Sequence, residues 1–315
     1  MQAVMMTKDD IELKTLEKPM PDHHEVLVKV HATTVTAGDV VLRELPGFMY
    51  WSPISKVLGV PPRKTIPGHE FAGVVDAVGK EVTNFKIGDA VFGTTTGLTV
   101  GAHAEYVCVP ESWTEGVIAR KPDNMTFAQA AALPVGSMAA LYLLQGAAIQ
   151  AGEQVLIYGA SGSVGTYAVQ LARYFGADVT GVCSTRNVDL VQSLGAKVVI
   201  DYTIEDFSQR DNHYDLIFDA VGKVSAEQRK RALKSSGRYT STRSLTHESA
   251  EALALLAELA EAGQIRPVID RCVALQKIGE AYQHVASKRK AGNVVVQTMA
   301  DQTTSTELTY ASMTE

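Results

Sequence analysis

Residues 159–165 read Gly-Ala-Ser-Gly-Ser-Val-Gly and stand between two apolar patterns of different period. Before them, residues 154–158 (QVLIY) form a short apolar run of strand character. After them, residues 164–175 place Val164, Ala168, Leu171, Ala172 and Phe175 on one face at helical spacing. A strand that turns through small residues into a helix aims the helix N-terminal amides, and the positive end of the helix dipole, at an anion. In the frame G-x-G-x-x-G the run reads Ala160-x-Gly162-x-x-Gly165, so the first glycine is replaced and the second and third stand. Gly162 lets a phosphate approach the backbone, and Gly165 lets the helix pack on the strand. Gly159, Ala160, Ser161, Gly162, Ser163, Val164 and Gly165 therefore form a candidate pyrophosphate-binding turn. A tight βα turn of some other α/β protein is the alternative.

The chain has 315 residues, 46% of them hydrophobic, enough for a large core and for two domains. A net charge of −6, with no basic run longer than Lys288-Arg289-Lys290, gives no electrostatic footprint for nucleic acid. Cys108, Cys183 and Cys272 are far apart and cannot make a disulfide framework or a cysteine-rich zinc cluster, which fits a reducing, cytoplasmic location. The N-terminus reaches Lys8-Asp9-Asp10 without the apolar core of a secretion signal. Residues 126–152 carry no charge and would reach across a bilayer by length, but alanine, Pro134, Gly136 and three glutamines point to buried helices of a soluble protein.

Residues 2–6, 12–16 and 25–32 (EVLVKVHA) read as strands, and residues 33–39 (TTVTAGD) as a polar turn. Residues 45–62 bring Phe48, Tyr50 and Trp51 among prolines, either as a pocket wall or as a surface loop with its aromatics in the core. Glycines between valines in residues 66–75 (IPGHEFAGVV) and 85–93 (FKIGDAVFG) indicate the tight turns of a barrel-like β domain.

The order of these pieces, followed by residues 101–110 (GAHAEYVCVP) and Lys121-Pro122-Asp123-Asn124, resembles the medium-chain dehydrogenase/reductase superfamily, and within it the zinc-free quinone oxidoreductase branch. The resemblance runs from residue 1 to about residue 300. It implies an α/β chain with a GroES-like β domain for the substrate (residues 1–122 with 265–300) and a Rossmann doubly wound parallel sheet for NADP(H) (residues 123–264). Residues 301–315, rich in Thr and Ser, match nothing in it and are expected to be a disordered tail.

Zinc-using members of the superfamily take the histidine of the Gly-His-Glu motif, here His69, as a ligand. Zinc needs three protein ligands. A cysteine is expected three residues before the aspartate that Asp39 matches, and Thr36 stands there; Val135 falls near the further ligand, and Cys108 is alone where a structural four-cysteine lobe would lie. No metal is therefore implied, and His69 and Glu70 are read as retained for structure or pocket polarity.

Residues 178–183 (DVTGVC) read as the second parallel strand, whose end separates NAD from NADP. It ends on Cys183 and continues Ser184-Thr185-Arg186-Asn187, with no carboxylate to repel a 2′-phosphate and with hydroxyls and a guanidinium to bind one. NADPH is the expected cofactor. Tyr202 matches a tyrosine beside that phosphate in similar enzymes; the alternatives are a solvated helix start for Arg186 and core packing for Tyr202. Further strands fall at 197–201, 215–220 and 238–241, with Val221 placed by resemblance along the adenosine and Ser241 to Arg243 near the nicotinamide. From Leu245 the chain runs almost directly into a helix at 248–262, which leaves no room for the edge strand that pairs subunits in relatives. A five-stranded sheet follows, and a homodimer through that edge is in doubt.

The implied reaction passes hydride from NADPH to a quinone or to the β-carbon of an activated alkene (enone or enal), by positioning and a few hydrogen bonds to the developing oxyanion. Thr36 and Ser137 match hydroxyls close to the nicotinamide, and His69 is a further donor. Many quinone reductases have tyrosines where Val41 and Gly47 stand here, and Tyr50 with Trp51 are candidates to replace them. A zinc-dependent alcohol dehydrogenase and an NADPH-binding protein without turnover are the competing readings.

Overall fold

Alternation of period two builds the first part of the chain in a computed structural model that describes residues 1–6, 10–44 and 66–298. The loop with Tyr50 and Trp51 and the tail 301–315 lie outside the described residues. Strands β1 (Gln2–Met6) and β2 (Ile11–Thr15) pair antiparallel. Strand β3 (Glu25–Val35) buries Val26, Val28 and Val30 on one face. It runs past the expected end at residue 32, because Thr33, Thr34 and Val35 are buried and paired. The rest of the expected turn is the start of helix α1 (Ala37–Glu44). Then follow β4 (Glu70–Val78), β5 (Ala90–Thr94), β6 (Tyr106–Pro110), β7 (Ile118–Arg120) and helix α2 (Phe127–Ala131). A capping box starts α2: the Gln129 N–H donates to Thr126 Oγ1 at 3.2 Å, and the Thr126 N–H to Gln129 Oε1 at 2.9 Å.

Helix α3 (Pro134–Gly146) begins on a proline, whose missing N–H costs nothing at a first helical position. The uncharged stretch is thus two short helices. Among the described residues no helix is long and apolar enough to cross a membrane. Next come β8 (Gln154–Tyr158), α4 (Ser163–Tyr174), β9 (Asp178–Cys183), α5 (Val188–Ser193), β10 (Val198–Asp201), β11 (Tyr214–Asp219), α6 (Ala226–Ala232), β12 (Leu233–Ser241) and α7 (Ala250–Glu261). The five strands are all parallel, in the order β10-β9-β8-β11-β12. Strand order reverses between β8 and β11, the place where doubly wound sheets take ligands at their carboxyl ends. Leu156, Val182, Ile200 and Ile217 form one core layer of this sheet with Phe207 and Tyr214. No strand lies between β12 and α7.

The chain closes with β13 (Ile269–Ala274), α8 (Ile278–Ala286) and β14 (Asn293–Gln297). Strand β14 pairs with β3, Val294 opposite Val35, and completes a sheet ordered β13-β14-β3-β4-β5-β7, with β6 paired to β3. Two compact units result: Met1–Val135, Glu248–Ala257 and Ile269–Glu315 in the first, Gly136–His247 and Glu258–Val268 in the second. Residues 123–135 fall in the first unit because α2 packs against β3, β4, β5 and β14.

Asp219 holds the end of β11 in place. Its buried carboxylate accepts the N–H groups of Val221 (3.0 Å), Gly222 (2.7 Å) and Val224 (2.8 Å) and the Tyr239 hydroxyl (3.0 Å). Removing an acceptor that serves several buried donors costs far more than one average hydrogen bond. Asp219→Ala is expected to lower the unfolding free energy by about 3 kcal/mol. Urea denaturation measures it, and a loss below about 1 kcal/mol would show that water replaces the carboxylate at little cost.

Candidate functional site

In the second unit the run of residues 159–165 is the turn from β8 to α4. The N–H groups of Gly159 and Ala160 both donate to Val182 O, at 3.0 and 2.9 Å, which ties the turn to β9. Gly159 has φ +80, a conformation that side chains resist, and Val221 packs where its Cβ would stand. A Cβ on Gly165 would lie 2.1 Å from the Gly159 carbonyl oxygen, so only glycine lets α4 start here. Gly162 differs: a Cβ there would meet nothing nearer than that carbonyl, at 3.4 Å. It is the N-cap of α4 and has no side chain of its own to cap the first-turn amides. Space above an uncapped helix start, kept open by a residue with no steric reason of its own, suits a phosphate.

The carboxyl ends of the other strands meet this turn. Cys183 pairs with Asp201, which sets Tyr202 beside Ser184, and the Tyr202 N–H donates to Cys183 O at 3.0 Å. Tyr202 is 57% exposed, so core packing does not explain it. Arg186 is exposed in a 3-10 turn, Thr185–Asn187. Asp201 is a carboxylate near this group, and its oxygens are occupied. Its Oδ1 accepts the Thr203 N–H (2.9 Å) and hydroxyl (2.8 Å). Hydrogen bonds from Thr185, then from Thr203, hold it below the usual carboxylate range. At the ends of β11 and β12, Val221 lies against Gly159, Ser241 Oγ accepts the Arg243 N–H at 3.3 Å, and the Arg243 side chain lies over Gly222. Ser163, in the first turn of α4, has its hydroxyl against Gly136, and the neighbouring Ser137 is buried.

The first unit carries a separate polar cluster. Asp39 Oδ2 accepts the Thr36 N–H at 2.8 Å and the Thr36 hydroxyl at 2.7 Å, and Thr36 Oγ1 in turn accepts the Asp39 N–H at 3.1 Å. Asp39 Oδ1 faces His69 Nδ1 at 2.7 Å. Burial alone would raise the Asp39 carboxyl; the charge and hydrogen bond of His69, helped by His103 and Thr36, outweigh it and hold it well below the usual range. An ionised carboxylate only accepts, so Nδ1 of His69 carries the proton. Among the described residues Nε2 has no partner. Glu70, the next residue, is treated oppositely. It is buried, with Oε2 bonded to the Thr34 hydroxyl and Oε1 accepting the Val135 N–H at 2.8 Å. Burial pushes its carboxyl up to about 7 against those two hydrogen bonds, with the charges of Asp39 and Glu248 adding to the rise.

The structure thus joins Thr36 to His69 through Asp39, and gathers Ser161, Ser184, Arg186, Tyr202, Val221, Ser241 and Arg243 at one edge of a sheet. Tyr50 lies outside the described residues. Sequence reasoning used Asp39 only as a marker of position and did not single out Asn187, Thr34 or His103. A polar residue buried inside an exposed turn, as Asn187 is, leaves no periodic trace.

Two predictions follow from these environments. Gly165→Ala lowers the unfolding free energy by about 2–3 kcal/mol and Gly162→Ala by less than about 1 kcal/mol, as urea denaturation measures; equal losses would contradict the steric difference. Glu70 binds a proton in the folded chain up to about pH 7. Unfolded, it gives that proton up near its ordinary pKa, so it weakens the fold progressively as pH rises from about 4.5 to about 7, and not further above that. Glu70→Gln is expected to remove this decline and to gain on the order of 2 kcal/mol relative to the parent at pH 8 compared with pH 4.5. Denaturation curves at the two pH values that shift in parallel would contradict it.

Comparison with known proteins supports the fold over most of the chain. The family described as "Alcohol dehydrogenase GroES-like domain" matches residues 22–122, and two described as "Zinc-binding dehydrogenase" match residues 163–256 and 230–296. The chain is 34% identical over 254 residues to 2-methylene-furan-3-one reductase of Solanum lycopersicum, a match covering 75% of this chain and 64% of that one. It is 32% identical over 291 residues to NADPH-dependent alkenal/one oxidoreductase, chloroplastic, of Arabidopsis thaliana, covering 86% and 72%. The solved quinone oxidoreductase of Coxiella burnetii superposes with a TM-score of 0.79 at 26% identity, over 95% of this chain and 99% of that one. With a GroES-like β unit, a five-stranded Rossmann sheet and relatives of these kinds, the chain belongs to the medium-chain dehydrogenase/reductase superfamily, in its quinone oxidoreductase-like branch.

Proposed function

We propose that the protein is an NADPH-dependent oxidoreductase that passes hydride to a quinone or to the β-carbon of an enone or enal, without a metal. The observation that carries this reading is the end of β9, where Ser184, Arg186 and Tyr202 stand together and the carboxylate at the end of the next strand, Asp201, is occupied by Thr185 and Thr203. Such a surface favours a ribose 2′-phosphate, through charge-assisted hydrogen bonds, over a bare ribose diol. The open space at Gly162 and the uncapped start of α4 suit the pyrophosphate. Val221, Ser241 and Arg243 extend the same edge toward the adenosine and nicotinamide ends. The names of the relatives, an NADPH-dependent alkenal/one oxidoreductase and a quinone oxidoreductase among them, support this substrate class.

When bound, the dihydronicotinamide supplies the hydride. The remaining requirement is a proton for the oxygen or carbon that becomes anionic. In this reading Thr36 is a positioning residue: its hydroxyl is engaged with Asp39, which orients His69 and leaves Nε2 as the group able to face an acceptor. Ser137 remains a candidate hydroxyl donor. The donor set around His69 suits a metal poorly, since Thr36 serves Asp39, the Val135 side chain is apolar and its N–H serves Glu70.

The test is a titration of the purified protein with NADPH and NADH, followed by nicotinamide fluorescence, with Arg186→Ala in parallel. NADPH is expected to bind tighter, and the variant to lose about tenfold for NADPH and little for NADH. NADPH consumption with a quinone and enone panel, unchanged after dialysis against a chelator, completes the prediction. Equal binding of the two nucleotides overturns the NADPH assignment, loss of activity on chelation overturns the metal-free one, and binding without consumption makes the chain a nucleotide-binding protein.

A further inference from the structure

Asn187 is 8% exposed, although Thr185 and Arg186 in the same turn are exposed. Its Nδ2 donates to Ser161 Oγ at 3.0 Å and to Ser184 Oγ at 3.3 Å. Ser161 belongs to the turn between β8 and α4, and Ser184 directly follows β9. One buried amide therefore joins two loops that are 23 residues apart in sequence (184 minus 161). A primary amide nitrogen has two protons and accepts nothing, so both serine hydroxyls act here as acceptors. Each then keeps its own proton to donate elsewhere. Among the described residues neither hydroxyl has a further partner. The nearby Asp201 carboxylate does not draw the Ser184 proton, being occupied by Thr185 and Thr203.

Two hydroxyl protons without an acceptor, at the edge where the helix start is uncapped, describe a surface prepared for anions. Resting on the NADPH reading above, we propose that Asn187 is a positioning residue for cofactor choice: its amide turns the Ser161 hydroxyl toward the pyrophosphate and the Ser184 hydroxyl toward the 2′-phosphate. Arg186 supplies charge to the second site, and Asn187 supplies direction. A hydroxyl that already accepts one hydrogen bond has fewer orientations to lose on binding, which removes part of the ordering cost of gripping each phosphate. The two grips are also linked, since a shift of the Asn187 side chain disturbs both.

NADH has the pyrophosphate and lacks the 2′-phosphate, so it uses only the Ser161 arm. The experiment measures affinities for NADPH and NADH, by nicotinamide fluorescence on the full chain, for the parent, Asn187→Ala, Ser184→Ala and the double variant, with thermal unfolding of each. Asn187→Ala is expected to weaken NADPH about tenfold and NADH about threefold, lowering the preference between them. In the Ser184→Ala background the same change should weaken both nucleotides by an equal factor, because the route to the 2′-phosphate is gone. Equal weakening of both nucleotides by Asn187→Ala alone, or an undiminished change of preference in the Ser184→Ala background, overturns the proposal. Asn187→Asp keeps the volume and has only acceptors, so it tests the same point should the alanine variant melt early. It is expected to lose the preference, and an unchanged preference would mean that the amide oxygen, not the nitrogen, faces the serines. Failure of the NADPH reading itself is visible separately, in a parent protein that binds NADH as well as NADPH or binds neither.

Discussion

The Gly159 carbonyl accepts the Gly162 N–H at 3.0 Å and lies 2.1 Å from where a Gly165 Cβ would stand. That close approach sets where α4 begins, and with it the direction of its first-turn amides. It also brings the turn near enough to β9 for Gly159 and Ala160 to share the Val182 carbonyl, so the ends of β8 and β9 are fixed to each other by backbone alone. The end of β11 joins from the other side, with Val221 filling the space a side chain on Gly159 would need. Asp219 holds that end by taking three backbone N–H groups which no strand partner could serve. An edge built this way presents its loops at fixed spacing, which recognition of one extended nucleotide at several points requires.

In the first unit, two buried carboxyls show how burial and partners compete over charge. Asp39 and Glu70 are both buried carboxyls. Asp39 has an imidazole and a hydroxyl on its two oxygens and is held well below the usual carboxylate range; Glu70 has a hydroxyl and a backbone N–H, and burial outweighs both and raises it to about 7. Lys290 is the mirror case: burial lowers its ammonium to about 8, while Asp270 and Glu70 pull it back up. A fixed negative charge and two groups poised near neutrality therefore share one unit.

What the sequence reveals about this molecule is what repeats locally. The strand of residues 154–158, the turn and the helix after it follow from patterns a few residues long, while the five-strand count comes from setting the short run after Leu245 against the edge strand that the resemblance implies. Boundaries move where partners decide them: β3 continues through Val35 because β14 pairs there, and β12 begins at Leu233 because Leu233 pairs with Tyr214. Polar roles are harder still, because the partners lie far apart. Glu70 meets Thr34 across 36 residues and Val135 across 65, and Asn187 meets Ser161 across 26. Thr36 illustrates the limit. Its hydroxyl matches a position near the nicotinamide in similar enzymes, and nothing in the linear pattern shows that the proton goes to Asp39.

The Asp39–His69 pair does not by itself separate a metal enzyme from a metal-free one. A histidine that binds a metal through one nitrogen commonly donates its other N–H to a carboxylate, as His69 does here. The difference lies in the residues around the pair. Where the family's zinc enzymes have a cysteine, Thr36 donates its hydroxyl to the same aspartate; near the further ligand position, the Val135 backbone N–H donates to Glu70. Both positions hydrogen-bond to the two carboxyls. On the metal-free reading proposed above, the oriented imidazole is kept without a Lewis acid, and polarisation of the acceptor falls to hydrogen bonds. Quinones and activated alkenes, which accept hydride at carbons already made electrophilic by conjugation, ask less of such a site than an unactivated carbonyl does.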